Sequence, residues 1–132
     1  MTYLDTNIFV YAAINNLEIG EKCRRVILNA SEGKEPAYTS VLTWDEVVYA
    51  IQKKEGREKA LKEGKLFIQL PNISFLNATL AIINKAQEIS EQYNLKPRDA
   101  IHAATALANG IKEIVSDDSD FDKIKELKRI SP

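Results

Sequence analysis

Thr2-Tyr3-Leu4-Asp5-Thr6-Asn7-Ile8-Phe9 reads as a short strand that runs straight into a helix. The strand covers Thr2 to Asp5, and the helix extends from Thr6 to about Ile14. Asp, Thr and Asn all satisfy the free N–H groups of a first helical turn, so capping accounts for Asp5 when it is taken alone. An aspartate at the end of a buried strand is also well placed to hold a metal ion, with the polar groups of Thr6 and Asn7 beside it.

Outward from this segment the same alternation continues. A helix is predicted from about Glu18 to Ser31, stopped at Gly33, and a strand over Ala37 to Ser40. Thr43 to Lys54 is helical, with Trp44, Val47, Val48 and Ile51 spaced as one buried stripe. Arg57 to about Phe67 is a further helix and Ile73 to Leu76 a strand. Thr79 to Tyr93 places Ile82, Ile83, Ala86, Ile89 and Tyr93 on one side. Pro97 opens an alanine-rich helix that Gly110 ends. Ile114 to Ser116 is a strand, an acidic turn follows, and Leu127 to Ile130 forms an edge strand. Short apolar strands alternating with helices imply an α/β fold, three layers deep, around a small and mainly parallel sheet. Such sheets bind ligands outside the carboxyl ends of their strands. Asp5 and the pair Asp117-Asp118 both fall at such ends.

The chain has 132 residues, 45% of them apolar, which suits a single domain over residues 1–132. No stretch approaches the roughly 20 apolar residues of a membrane span, and Met1 to Asp5 shows no signal-peptide pattern, so a cytoplasmic, membrane-free protein is expected. Cys23 is the only cysteine and His102 the only histidine, which excludes an internal disulfide and a His-Cys zinc cluster. Cys23 reads as a small core filler. Any metal must be held mainly by oxygen, which favours Mg²⁺ or Mn²⁺. The net charge of −1 argues against a module that merely coats nucleic acid, but not against a nuclease, since bound cations reverse the charge of an acidic site.

Asp117, Asp118, Asp120 and Asp122 put four carboxylates into six residues. An acidic first helical turn is the ordinary explanation; mutual repulsion at this density favours a bound cation instead. The run fails as a calcium loop, because Lys123 stands at the turn glycine and Arg129 at the final glutamate. Asp99 lies in the first turn of a helix apolar almost all round, so it is the charged end of a buried element and needs a partner. His102 follows one turn later on the same face; a packed, hydrogen-bonded core position is its expected fate, with support of the site as the alternative. Glu46 falls roughly opposite the stripe of Trp44 and Val48, which points it to solvent or to an open groove. Asp45 is the neighbouring alternative.

Taken together these segments resemble the PIN-domain ribonucleases, in particular the compact VapC-like toxins. Leu4-Asp-Thr-Asn-Ile-Phe9 resembles the first motif of that family, Thr39-Ser-Val-Leu-Thr-Trp-Asp-Glu-Val-Val48 the second, Arg98-Asp-Ala-Ile-His-Ala-Ala-Thr-Ala-Leu107 the third, and Ile114-Val-Ser-Asp-Asp-Ser-Asp-Phe-Asp122 the last. The resemblance implies a PIN-like fold and a catalytic, metal-binding set of Asp5, Glu46, Asp99 and Asp118, with Glu46 acting directly or through water. It gives Thr6, Asn7, Ser116 and Asp120 supporting places and leaves Asp117 at a variable position. Ser116 stands where threonine is more common and keeps the hydroxyl. The resemblance also implies Mg²⁺ or Mn²⁺, an RNA substrate, a homodimer and an antitoxin partner contacting the helices from Thr43 to about Phe67.

Two alternatives stand beside this reading. A haloacid-dehalogenase-like phosphatase also ends its first strand in an aspartate, but its usual second aspartate is here Asn7, and the chain lacks room for a cap. A non-catalytic binding domain of PIN-like fold is the other.

Overall fold

Five short strands, β1 (Thr2–Leu4), β2 (Ala37–Ser40), β3 (Ile73–Leu76), β4 (Glu113–Val115) and β5 (Lys128–Ile130), form one sheet in the computed structural model, which describes residues 1–132. Their order is β3-β2-β1-β4-β5, and every neighbouring pair is parallel. Six helices connect and cover them: α1 (Thr6–Ile14), α2 (Glu18–Ser31), α3 (Thr43–Glu55), α4 (Arg57–Ile68), α5 (Leu80–Gln92) and α6 (Pro97–Ala108).

Successive strand residues point to opposite faces, and the core divides accordingly. Tyr3 and Ile114 pack with Ile82, Ala86 and Ile89 of α5 and the alanines of α6. Leu4 and Val115 pack on the other face with residues of α1 to α4, among them Ile8, Phe9, Val47, Ile51 and Phe67. The result is the three-layer α/β/α arrangement expected, with a sheet that is wholly parallel. Cys23 fills the second core, where burial pushes its thiol up to about 11. No helix is long and apolar enough to cross a membrane.

The chain's punctuation explains the helix boundaries. Asp5 caps α1 from an extended conformation, and Thr79 Oγ1 accepts a bond from Ile82 N at the start of α5. Pro97 occupies the first turn of α6, where its missing N–H costs nothing. Gly56, at φ 90°, lets α3 end and α4 begin within one residue.

Several expectations need correction. β1 ends at Leu4 and β4 at Val115, so Asp5 and Ser116 stand just beyond the strands. The acidic turn is a short 3₁₀ helix over Ser119–Lys123. Trp44 does not share the buried stripe of α3 but is 38% exposed, because it lies on the flank beside Gly64 of α4. Ile83 is likewise 40% exposed while Ile82, Ala86 and Ile89 are buried, since the core face of α5 is narrower than its apolar stripe.

Strand order reverses between β1 and β4: from β1 the chain proceeds outward to β2 and β3, then returns to β4 on the other side. The carboxyl ends of those two strands therefore flank a crevice, the place where open parallel sheets bind ligands.

Candidate metal centre

Asp5 sits at one lip of this crevice, 4% exposed. Its Oδ1 accepts from Thr6 N at 2.8 Å and its Oδ2 from the Ser116 hydroxyl at 2.6 Å. Ser116 follows β4 directly and is fully buried. Its oxygen in turn accepts from Asp118 N at 3.0 Å and Asn7 Nδ2 at 3.3 Å, which uses every hydrogen-bonding position a hydroxyl has. Asn7 Oδ1 also accepts from Asp117 N at 3.4 Å. One serine and one asparagine thus tie the two strand ends together. Burial raises the Asp5 pKa, against the pull of His102, Ser116 and Thr6.

Asp99 projects from the first turn of α6 toward the start of the 3₁₀ helix. Asp118 caps that helix, its Oδ1 accepting from Asp120 N at 2.9 Å. One oxygen from each of Asp99, Asp118 and Asp120 lies within 4.8 Å of the others. Asp120 is therefore a full member of the tightest acidic group, although its Oδ1 is also 3.2 Å from Lys123 Nζ. Asp5 and Glu46 stand outside that group. Asp122, farther along the acidic run, is otherwise engaged: Arg129 donates to both of its oxygens, at 2.9 and 3.1 Å, and holds that carboxyl below its usual range.

Asp99 Oδ2 is buried with no hydrogen-bond partner. Burial, then the charges of Asp118 and Asp5, push the Asp99 carboxyl up to about 7. An orphaned carboxylate oxygen among like charges is costly unless a cation relieves it. The donor set is hard oxygen throughout, which fits a divalent ion of the Mg²⁺ or Mn²⁺ type.

Glu46 corrects the helical-wheel expectation that favoured solvent. Its side chain is only 15% exposed, and its Oε1 lies 2.7 Å from His102 Nε2. The first turn of α3 opens at the carboxyl end of β2, where α6 approaches, so the face that would meet water farther along the helix meets His102 here. His102 is buried; the Tyr3 hydroxyl lies 2.7 Å from Nδ1, and Thr6 Oγ1 lies 3.1 Å from Nε2. Burial opposes charge on this ring, yet the bond to Glu46 and the charges of Asp5, Glu46 and Asp99 raise its pKa overall.

Glu46, Lys96, Pro97, Arg98, Asp99 and Asp118 line an open cleft of about 440 Å³, and all of them but Pro97 carry charged side chains. Lys96 and Arg98 are contributors that sequence reasoning missed. Their signal was adjacency to Asp99 at a helix start, where basic residues are not favoured by the dipole.

A family model described as PIN domain matches residues 2–127. The chain belongs to the PIN domain family. Its fold is shared with solved PIN structures at low sequence identity. The VapC20 toxin of Mycobacterium tuberculosis, described as cleaving the sarcin-ricin loop, superposes with a TM-score of 0.77 at 16% identity, over 92% of this chain and 93% of that one. VapBC2 of Rickettsia felis, bound to a DNA fragment from its promoter, gives 0.75 at 19% identity, covering 99% and 98%. DNA-bound VapBC of Salmonella typhimurium gives 0.74 at 21%, covering 98% and 96%. No curated protein matches the sequence. PIN membership sets aside the dehalogenase-like phosphatase as a relative.

Proposed function

We propose that this PIN domain is a metal-dependent endoribonuclease and the toxin of a toxin-antitoxin pair. The observation that carries this reading is the orphaned Asp99 Oδ2 beside Asp118 and Asp120, in a cleft lined by charged residues and one proline. Asp5, Asp99 and Asp118 would hold Mg²⁺ or Mn²⁺, with Glu46 directly or through water and Asp120 in support. A bound ion of this kind polarises a phosphoryl oxygen, lowers the pKa of an attacking water and steadies the leaving oxygen. The protein's own part is positioning. Ser116 and the Thr6 N–H fix the Asp5 carboxylate, Asn7 locks the two strand ends, and Lys96 and Arg98 offer positive charge on the cleft for RNA phosphates. The cleft contains no serine, cysteine or histidine that would act as nucleophile, in keeping with direct displacement by water.

The VapC20 toxin's described cleavage of the sarcin-ricin loop supports the toxin assignment, and the VapBC complexes support an antitoxin partner. Exposed Trp44, Leu61, Leu66 and Ile68 on α3 and α4 supply the apolar surface that such a partner would cover. A homodimer is part of the same proposal, and light scattering of the purified chain measures it.

The test is cleavage of fluorescent single-stranded RNA by antitoxin-free protein. Cleavage is expected with Mg²⁺ or Mn²⁺, is stopped by chelator, and falls by about 100-fold or more, roughly 3 kcal/mol of barrier, in Asp99→Asn. Cleavage that persists in chelator would overturn the metal assignment. A folded protein that loads Mn²⁺ and cuts no RNA would favour a binding domain.

A further inference from the structure

His102 is 1% exposed, and a buried imidazole must have both nitrogens satisfied. The ring meets three members of the proposed site through Nε2 alone: Glu46 Oε1 at 2.7 Å, Thr6 Oγ1 at 3.1 Å and Asp5 Oδ1 at 3.8 Å. An ionised carboxylate only accepts, so the nitrogen facing Glu46 carries a hydrogen and donates it. The other nitrogen lies 2.7 Å from the hydroxyl of Tyr3, which is fully buried in β1 and also touches the ring edge-on at 5.6 Å between centroids. Gripped at both ends, the imidazole has little freedom to turn.

Glu46 reaches the cleft from a helix position that its apolar neighbours would leave in solvent. Tyr3 alone could satisfy an ordinary core histidine at one end. Here the opposite end is spent on a cleft-lining carboxylate. We propose that His102 is a positioning residue: held by Tyr3 from behind, its Nε2–H fixes Glu46 Oε1 and leaves the second oxygen of Glu46 for the cleft. What Glu46 then does rests on the ribonuclease reading; the tether itself does not.

Two measurements decide it. Nitrogen-15 NMR of the metal-free protein should show His102 protonated at Nε2, with a slowly exchanging ring proton whose resonance moves in Glu46→Ala. An unprotonated Nε2, or a resonance indifferent to Glu46→Ala, would overturn the proposal. In RNA cleavage, His102→Asn, too short to reach from the Nε2 position, should lower kcat by about 10–100-fold in the parent protein. The same change in a Glu46→Ala background should cost much less, because the route through Glu46 is gone and only the longer contact with Asp5 and the bond to Thr6 remain. His102→Gln, whose amide nitrogen approximates Nε2, should recover part of the loss. Equal losses in both backgrounds would mean that His102 is merely structural and would sink the idea. Should the parent protein cut no RNA, the ribonuclease reading fails while the NMR result still decides the tether.

Discussion

Asp99 shows how one side chain can be unstable by itself and useful in company. Its carboxyl is pushed up to about 7 by burial and by Asp118 and Asp5, well above the ordinary aspartate value near 4. With the folded pKa raised, the folded state binds more protons than the unfolded one between about pH 4 and pH 7. Its contribution is therefore fully present below about pH 4 and is lost as pH rises through about 7. In chelator, the wild type should lose stability relative to Asp99→Asn across that window, read from urea midpoints at several pH values; parallel curves would contradict the assigned environment. Residues differ in how far such behaviour could be anticipated. Asp5, Asp99 and Asp118 were legible because each follows a strand or opens a buried helix. Glu46 was not legible from periodicity, since its burial depends on His102, 56 residues away along the chain. Tyr3 gave no signal at all: an aromatic residue in an apolar strand looks like core, and it is core.

Elements were legible where local rules agree with packing. The strand–helix joint at Asp5, the proline that opens α6 and the isolated glycines all mark boundaries that the structure keeps to within a residue or two. Side-chain faces were less secure, as Trp44 and Ile83 show, because periodicity identifies a stripe but not how much of it a neighbour covers. Gly20 illustrates a close approach that no pattern reveals. It lies inside α2, where glycine normally costs about 1 kcal/mol relative to alanine, and propensity alone would predict that Gly20→Ala stabilises. A Cβ there would meet the backbone oxygen of Asn15 at 2.0 Å, and Asn15 Oδ1 already accepts from Gly20 N at 3.2 Å. A backbone atom cannot swing aside as a side chain can. Gly20→Ala is expected to destabilise by about 1–3 kcal/mol net, as overpacking does, and a denaturant midpoint at or above wild type would show that the α1–α2 joint is looser than described.

Across the whole molecule the proposed site draws on both helical layers. Glu46 comes from the layer of α1 to α4 and Asp99 from the layer of α5 and α6, while Asp5 and Asp118 follow the two central strands. Alternation of strands and helices made the layers legible in the sequence; the strand order, and with it the reversal between β1 and β4, was not, because parallel pairing is decided by contacts far apart along the chain. An ion shared by these carboxylates would add a further tie between elements joined by the sheet and by the bonds of His102 to Glu46 and Thr6, so binding should appear as global stability. An ion that binds only the folded state adds about 2.7 kcal/mol at 100 times its Kd, which for a domain of this size is on the order of 10 °C in Tm. Calorimetry at pH 8, where Asp99 is ionised, should show that rise with Mn²⁺, and Asp99→Asn should lose most of it. The acidic run alone could bind Mn²⁺ weakly through exposed Asp117, and such binding would survive Asp99→Asn. An unchanged Tm in the wild type, or an equal rise in the variant, would therefore locate the ion elsewhere and remove the metal from the crevice between β1 and β4.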